Sequence, residues 1–100
     1  MLEQRNSRRF DLKLPFELLR PGLQVVRNGE TKNVSSSGVL FSADVPVQPG
    51  QRIEYAITLP CGEKNVTLRI RCIGKIVRRI SDVEAAATLE RYDFIREKIS

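Results

Sequence analysis

In Arg52-Ile53-Glu54-Tyr55-Ala56-Ile57-Thr58-Leu59, the apolar residues Ile53, Tyr55, Ile57 and Leu59 alternate with Arg52, Glu54, Ala56 and Thr58. Successive side chains of a strand point to opposite faces, so this period of two describes a strand with one face in a core. Pro60-Cys61-Gly62-Glu63-Lys64-Asn65 then turns the chain back. A second alternation follows, with Val66, Leu68, Ile70 and Cys72 inward and Thr67, Arg69 and Arg71 outward. Two consecutive strands joined by a turn imply antiparallel pairing. Past Gly74 the phase is lost, because Ile73, Ile76 and Val77 no longer share a face. A bulge or a barrel corner accounts for such a break.

The same theme extends in both directions. Upstream, Leu12, Leu14, Phe16 and Leu18 oppose Asp11, Lys13, Pro15 and Glu17. Pro15 has no ladder donor, which predicts an edge position or a bulge. Arg20-Pro21-Gly22 reads as a turn and Leu23 to Arg27 as a strand. Asn28-Gly29 predicts a two-residue hairpin turn, from which Glu30-Thr31-Lys32 returns to deliver Asn33. Ser35-Ser36-Ser37-Gly38 interrupts the pattern before Val39-Leu40-Phe41, and residues 44–50 form a loop. Downstream, Val83 to Leu89 reads as a short strand. Residues 90–100 read as a helix, with Tyr92, Ile95 and Ile99 at helical spacing, packed on the end of the barrel. Six or seven short strands with one terminal helix describe an all-β chain, a small antiparallel barrel or split barrel. Residues 1–9 read as a flexible arm and residues 10–100 as a single domain.

A chain of 100 residues, 41% hydrophobic, can bury a core without staples. Its net charge of +5 favours polyanionic or phosphorylated partners: DNA, RNA, an anionic membrane surface or a dinucleotide. With two cysteines, Cys61 and Cys72, and no histidine, neither a disulfide framework nor a zinc site is expected, and no cofactor. No stretch is long enough to span a membrane, and the polar N-terminus does not resemble a secretory signal, so a cytoplasmic location is expected. The acidic residues are dispersed, and Ser35, Ser36 and Ser37 have no recognisable activating base. General acid–base or nucleophilic chemistry has no agent here, which points to a binding module rather than an enzyme.

Two polar stretches carry the chemistry that remains. Arg5-Asn6-Ser7-Arg8-Arg9 offers guanidinium groups, which fork onto phosphate oxygens and the O6/N7 edge of guanine and stack on bases. Asn33-Val34-Ser35-Ser36-Ser37-Gly38 offers an amide, hydroxyls and a glycine turn suited to phosphate. Taken alone, the second stretch is also a plain polar turn with serine bonded to local backbone. Arg69, Arg71, Arg78 and Arg79 read as solvent-face charges of a strand rather than as a nucleic-acid stripe.

Arg5-x-x-x-Arg9 followed by Asn33-x-Ser35-x-x-Gly38 resembles the two-part signature of the PilZ domain, the bacterial receptor module for cyclic di-GMP. The resemblance covers nearly the whole chain. It implies a six-stranded β-barrel with a C-terminal helix and cyclic di-GMP as ligand. By the same resemblance, Arg5 and Arg9 bind guanine edges and phosphates, Asn33 and Ser35 hydrogen-bond the ligand from the barrel, and Gly38 permits close approach. Arg8 and Gln4 are secondary candidates. Many relatives have an arginine where this chain has Gln4, which favours one bound ligand over a stacked pair, while Arg8 offers a substitute cation. The expected mechanism is ordering of the arm on binding, read by an unidentified effector protein. Two other readings stand beside it: a basic barrel for single-stranded nucleic acid, disfavoured by six aromatics mostly at apolar positions, and a ligand-free protein-interaction adaptor.

Overall fold

The computed structural model describes residues 8–20, 24–44, 47–60 and 64–98. Its elements are all strands: β1 (Pro15–Arg20), β2 (Gln24–Val34), β3 (Gly38–Ala43), β4 (Arg52–Leu59), β5 (Val66–Ser81), β6 (Glu84–Thr88) and β7 (Arg91–Lys98). All pairings are antiparallel. The order β4, β1, β2, β3, β6, β5 closes on itself through β4–β5, giving a six-stranded barrel with β7 attached to β5. Closure leaves none of these six strands as an open edge along its whole length, which is how a small all-β chain protects its backbone groups.

The alternation that announced β4 and β5 is the one that fills the core. Ile53, Tyr55, Ile57 and Cys72 are buried, together with Phe16, Leu18, Val39, Phe41, Ile76, Ala85 and Ala87. Phe16 lies at the centre, its ring 4.2 Å from Phe41 and 5.3 Å from Tyr55, both stacked. Offset aromatic pairs add about 0.5–1.5 kcal/mol each beyond the area they bury. The Tyr55 hydroxyl, carried into this core, donates to the Thr88 carbonyl at 2.9 Å. Burial raises the pKa of the Tyr55 phenol and pushes the Cys72 thiol up to about 12.

The expectation at Asn28-Gly29 changes. Asn28-Gly29 makes no hairpin turn: it lies inside β2, where Gly29 pairs with Phe16 on one side and Ala43 on the other. A Cβ at Gly29 would overlap the Ser42 carbonyl oxygen, so the glycine serves strand contact rather than chain reversal. The turn predicted at Arg20-Pro21-Gly22 falls largely outside the described residues. Of the two alternatives drawn from Pro15, the bulge is the one met: Pro15 is the first residue of a strand paired on both sides, and β1 carries an irregularity of register between Leu18 and Leu19.

The helix expected over residues 90–100 is not there; residues 91–98 are β7. The reason lies in β5, whose 16 residues outrun any single neighbour. One edge of β5 pairs with β4 from Leu68 to Lys75. The other takes β6 from Ile76 onward and β7 from Val66 to Ile73. A helix over 91–98 would leave the first half of that edge without partners. The strand also sets Asp93 against Arg71 and brings Glu97 to Arg69. Tyr92, expected to pack on the barrel end, is 59% exposed, and Phe94 beside it on the same face is 60% exposed.

Candidate functional site

Residues 10–14 lie along β2 and bring Arg9 to the serine turn. Phe10 exchanges two backbone hydrogen bonds with Val34, both 2.9 Å. Farther along, buried Thr31 acts as a clasp. Its hydroxyl donates to the Leu12 carbonyl at 2.5 Å and accepts from the Leu14 amide at 2.9 Å, while its own amide donates to Leu14 at 2.9 Å. The consequence is positional: Arg9 stands next to the end of β2 that carries Asn33.

The turn between β2 and β3 is built by Ser35. Its hydroxyl accepts the amides of Ser37 and Gly38, each at 3.2 Å, and its amide donates to the Gly38 carbonyl at 2.9 Å. This is the self-bonded serine turn that physics alone predicts for the segment. It also has a spare capability. Both acceptor positions of Ser35 Oγ are engaged, but its proton meets only long contacts, 3.3 Å to Ser37 Oγ and 3.3 Å to the Gly38 carbonyl. A phosphate oxygen is a stronger acceptor than either. Gly38 also has a role within the barrel. A Cβ there would meet the Ala87 carbonyl oxygen at 2.7 Å, so its missing side chain lets β3 lie against β6.

These residues share one open pocket of about 410 Å³, lined by Arg9, Asn33, Ser35, Ser37 and Gly38, with Val39, Leu40, Val77, Arg78, Ala86, Ala87 and Thr88. Its floor is a row read from the strand register: Asn33 opposite Leu40, Leu40 opposite Ala86, Ala86 opposite Arg78. Three interstrand spacings make that row roughly 14 Å long. The floor is short-chained and apolar in the middle and polar at both ends. No carboxylate of the described residues lines the pocket, whereas Arg9 and Arg78 both do. Such a surface accepts a flat ring on its floor and anionic groups at its rim.

Arg9, Asn33, Ser35 and Gly38 are therefore brought together. Arg8 is exposed and not among the lining residues. Arg5 and Gln4 lie outside the described residues, as does Cys61. Arg78 was not singled out from the sequence, where it looks like Arg69, Arg71 and Arg79. The structure separates them. Arg69 pairs with Glu17 and Glu97, Arg71 with Asp93, and Arg79 with Asp82. Arg78 has no carboxylate partner among the described residues and reaches the pocket because the register slips between Ile76 and Arg78. No sequence signal marks that slip beyond the broken phase after Gly74. Among the described residues there is no cluster of potential metal ligands, and no helix is long and apolar enough to cross a membrane.

Comparison with curated proteins finds no match for the chain. Comparison with family models does: the model of the PilZ domain matches residues 3–94, which includes both halves of the arginine and serine–glycine signature, the pocket and nearly the whole barrel. The chain belongs to the PilZ domain family.

Proposed function

We propose that the pocket between the N-terminal stretch and the β2–β3 turn binds cyclic di-GMP, the ligand for which PilZ domains are receptors. The observation that carries this reading is the convergence of Arg9, Asn33, Ser35, Gly38 and Arg78 on one pocket with no lining carboxylate among the described residues. Arg9 and Arg5 take phosphate oxygens and guanine edges, each charge-assisted hydrogen bond contributing about 1.5–3 kcal/mol net. Ser35 turns its proton from its weak local contacts to the ligand, and the Asn33 amide reads a base edge or a phosphate. Leu40, Ala86 and Ala87 supply the apolar floor for a purine face. Gly38 acts indirectly, holding the turn against β6.

The fixed point of the mechanism is the Phe10–Val34 bridge. Residues before it fold over the pocket when the ligand arrives, pulled by arginine contacts that exist only in the bound state, and the surface so formed is what an effector protein reads. On this reading the site acts by binding, as expected of a receptor domain. The nucleic-acid reading gains no support at the pocket: Phe16, Phe41 and Tyr55 are in the core, and no aromatic among the described residues lines it.

Titration calorimetry with cyclic di-GMP tests the proposal. Saturable binding is expected, abolished in Arg9→Ala, reduced in Asn33→Ala and Ser35→Ala, and retained in Arg71→Ala, whose partner is Asp93 on another part of the barrel. No heat with the wild-type protein, or equal loss in Arg71→Ala, overturns it.

A further inference from the structure

We infer that β7 is a self-association edge, and that a second copy of this chain docks there by antiparallel pairing of β7 with β7 about a two-fold axis through Phe94. Three observations carry this. Among the described residues β7 pairs only with β5, which leaves its other edge as an open row of backbone donors and acceptors. The edge is not blunted by proline or by charge of one sign: it reads Arg91-Tyr92-Asp93-Phe94-Ile95-Arg96-Glu97-Lys98. It also carries the exposed aromatic pair, Tyr92 and Phe94, packed edge to face with ring centres 5.8 Å apart. Exposed apolar side chains in that setting mark an interaction surface.

Geometry limits how such an edge can meet its own copy. Directly opposed residues of an antiparallel pair lie on the same face of the sheet, and a two-fold axis normal to the sheet keeps every residue on its own face. Only registers that pair odd positions with odd and even with even survive. The two that engage most of Arg91–Lys98 are centred on Phe94 and on Ile95. Centring on Ile95 sets Asp93 against Glu97 twice, a like-charge clash. Centring on Phe94 sets Arg91 against Glu97 twice, Asp93 against Ile95 twice, and Phe94 against itself. It places each Tyr92 opposite an Arg96. Cross-strand pairs of this kind stabilise a ladder and like charges destabilise it, so charge selects the register. The side of β7 bearing Tyr92 and Phe94 continues the row of Cys72 and Ile70, so the two copies extend one sheet with both aromatic pairs on the same face.

Light scattering across a concentration series, with the intact chain, tests the inference. The wild type is expected to pass from monomer to dimer between micromolar and millimolar concentration. Arg91→Glu and Glu97→Arg each put like charges face to face and weaken the dimer by about tenfold or more. The double variant Arg91→Glu/Glu97→Arg restores it, which no loss of folding can imitate. Phe94→Lys abolishes it, with urea unfolding confirming a native fold. Four results overturn the inference: a monomer throughout, single swaps without effect, a dimer indifferent to Phe94→Lys, or a monomer whose Tyr92 and Phe94 are covered by the chain's own remaining residues or by an added oligonucleotide.

Discussion

A hydroxyl buried at position 31 decides where Arg9 stands, and no sequence pattern announces it. Thr31 sits among apolar inward positions, yet its Oγ1 satisfies both the Leu12 carbonyl and the Leu14 amide. Thr31→Val keeps the shape and removes the partner, leaving those two groups unpaired. A buried polar group left so costs about 1–3 kcal/mol. The expected result is a lower urea midpoint together with weaker ligand binding, because residues 10–14 loosen from β2. Gly38→Ala acts at the other side of the pocket. Its Cβ meets the Ala87 carbonyl at 2.7 Å, so β3 and β6 must part, at roughly 1–3 kcal/mol as for an overpacked site. Cys72 gives a prediction in pH. Its folded value of about 12 lies above the unfolded thiol value near 8.5. Its stabilising contribution is therefore intact below about pH 8.5 and is lost as pH rises through 12, with Tyr55 adding in the same direction. Urea unfolding at stepped alkaline pH should show the decline, and Cys72→Val should make it shallower.

At the scale of elements, what was legible was what depends on a half-buried face. β4 and the first part of β5 follow from alternation alone, because Ile53, Tyr55, Ile57 and Cys72 had to share one side. Asn28-Gly29 and residues 91–98 misled for one reason: local chemistry allowed two states and long-range pairing chose. Asn-Gly suits a tight turn, but the space opposite Phe16 and beside Ser42 required a residue without a side chain. Tyr92, Ile95 and Ile99 fit a helix, but Tyr92, Phe94 and Arg96 fit a strand equally, and the open edge of β5 decided. Backbone carbon chemical shifts over 91–98 should therefore be those of a strand. The ion pairs across β5 and β7 confirm register more than they add stability. Asp93→Ala should cost less than about 1 kcal/mol, since the pair with Arg71 is solvent-exposed. Arg69→Ala should cost more, because it removes a half-buried guanidinium that holds Glu17 at 2.7 Å.

For the whole molecule, the barrel brings together what the chain keeps apart. Arg9, the turn after Asn33 and Arg78 belong to three separate regions of sequence and meet because β2, β3, β6 and β5 are neighbours in that order. The first two were legible as chemistry, since guanidinium, amide and hydroxyl suit the same ligand. The third was not, because which face Arg78 takes depends on a slip in strand register. A chain with net charge +5 and two arginines at a pocket lined by no carboxylate of the described residues should attract a doubly anionic ligand from a distance as well as at contact. Salt separates these contributions. Raising ionic strength from about 0.01 M to about 0.15 M shortens the screening length from about 30 Å to about 8 Å, which removes the long-range part and spares the contacts. Affinity for cyclic di-GMP should fall, mainly through a slower association rate. Arg78→Ala should weaken binding and flatten the salt dependence together, by removing a charge that acts in both ways. Arg52→Ala, on β4 and outside the pocket, should flatten the salt dependence slightly and leave the dissociation rate unchanged. A dissociation rate equally indifferent to Arg78→Ala would show that the far end of the floor does not touch the ligand.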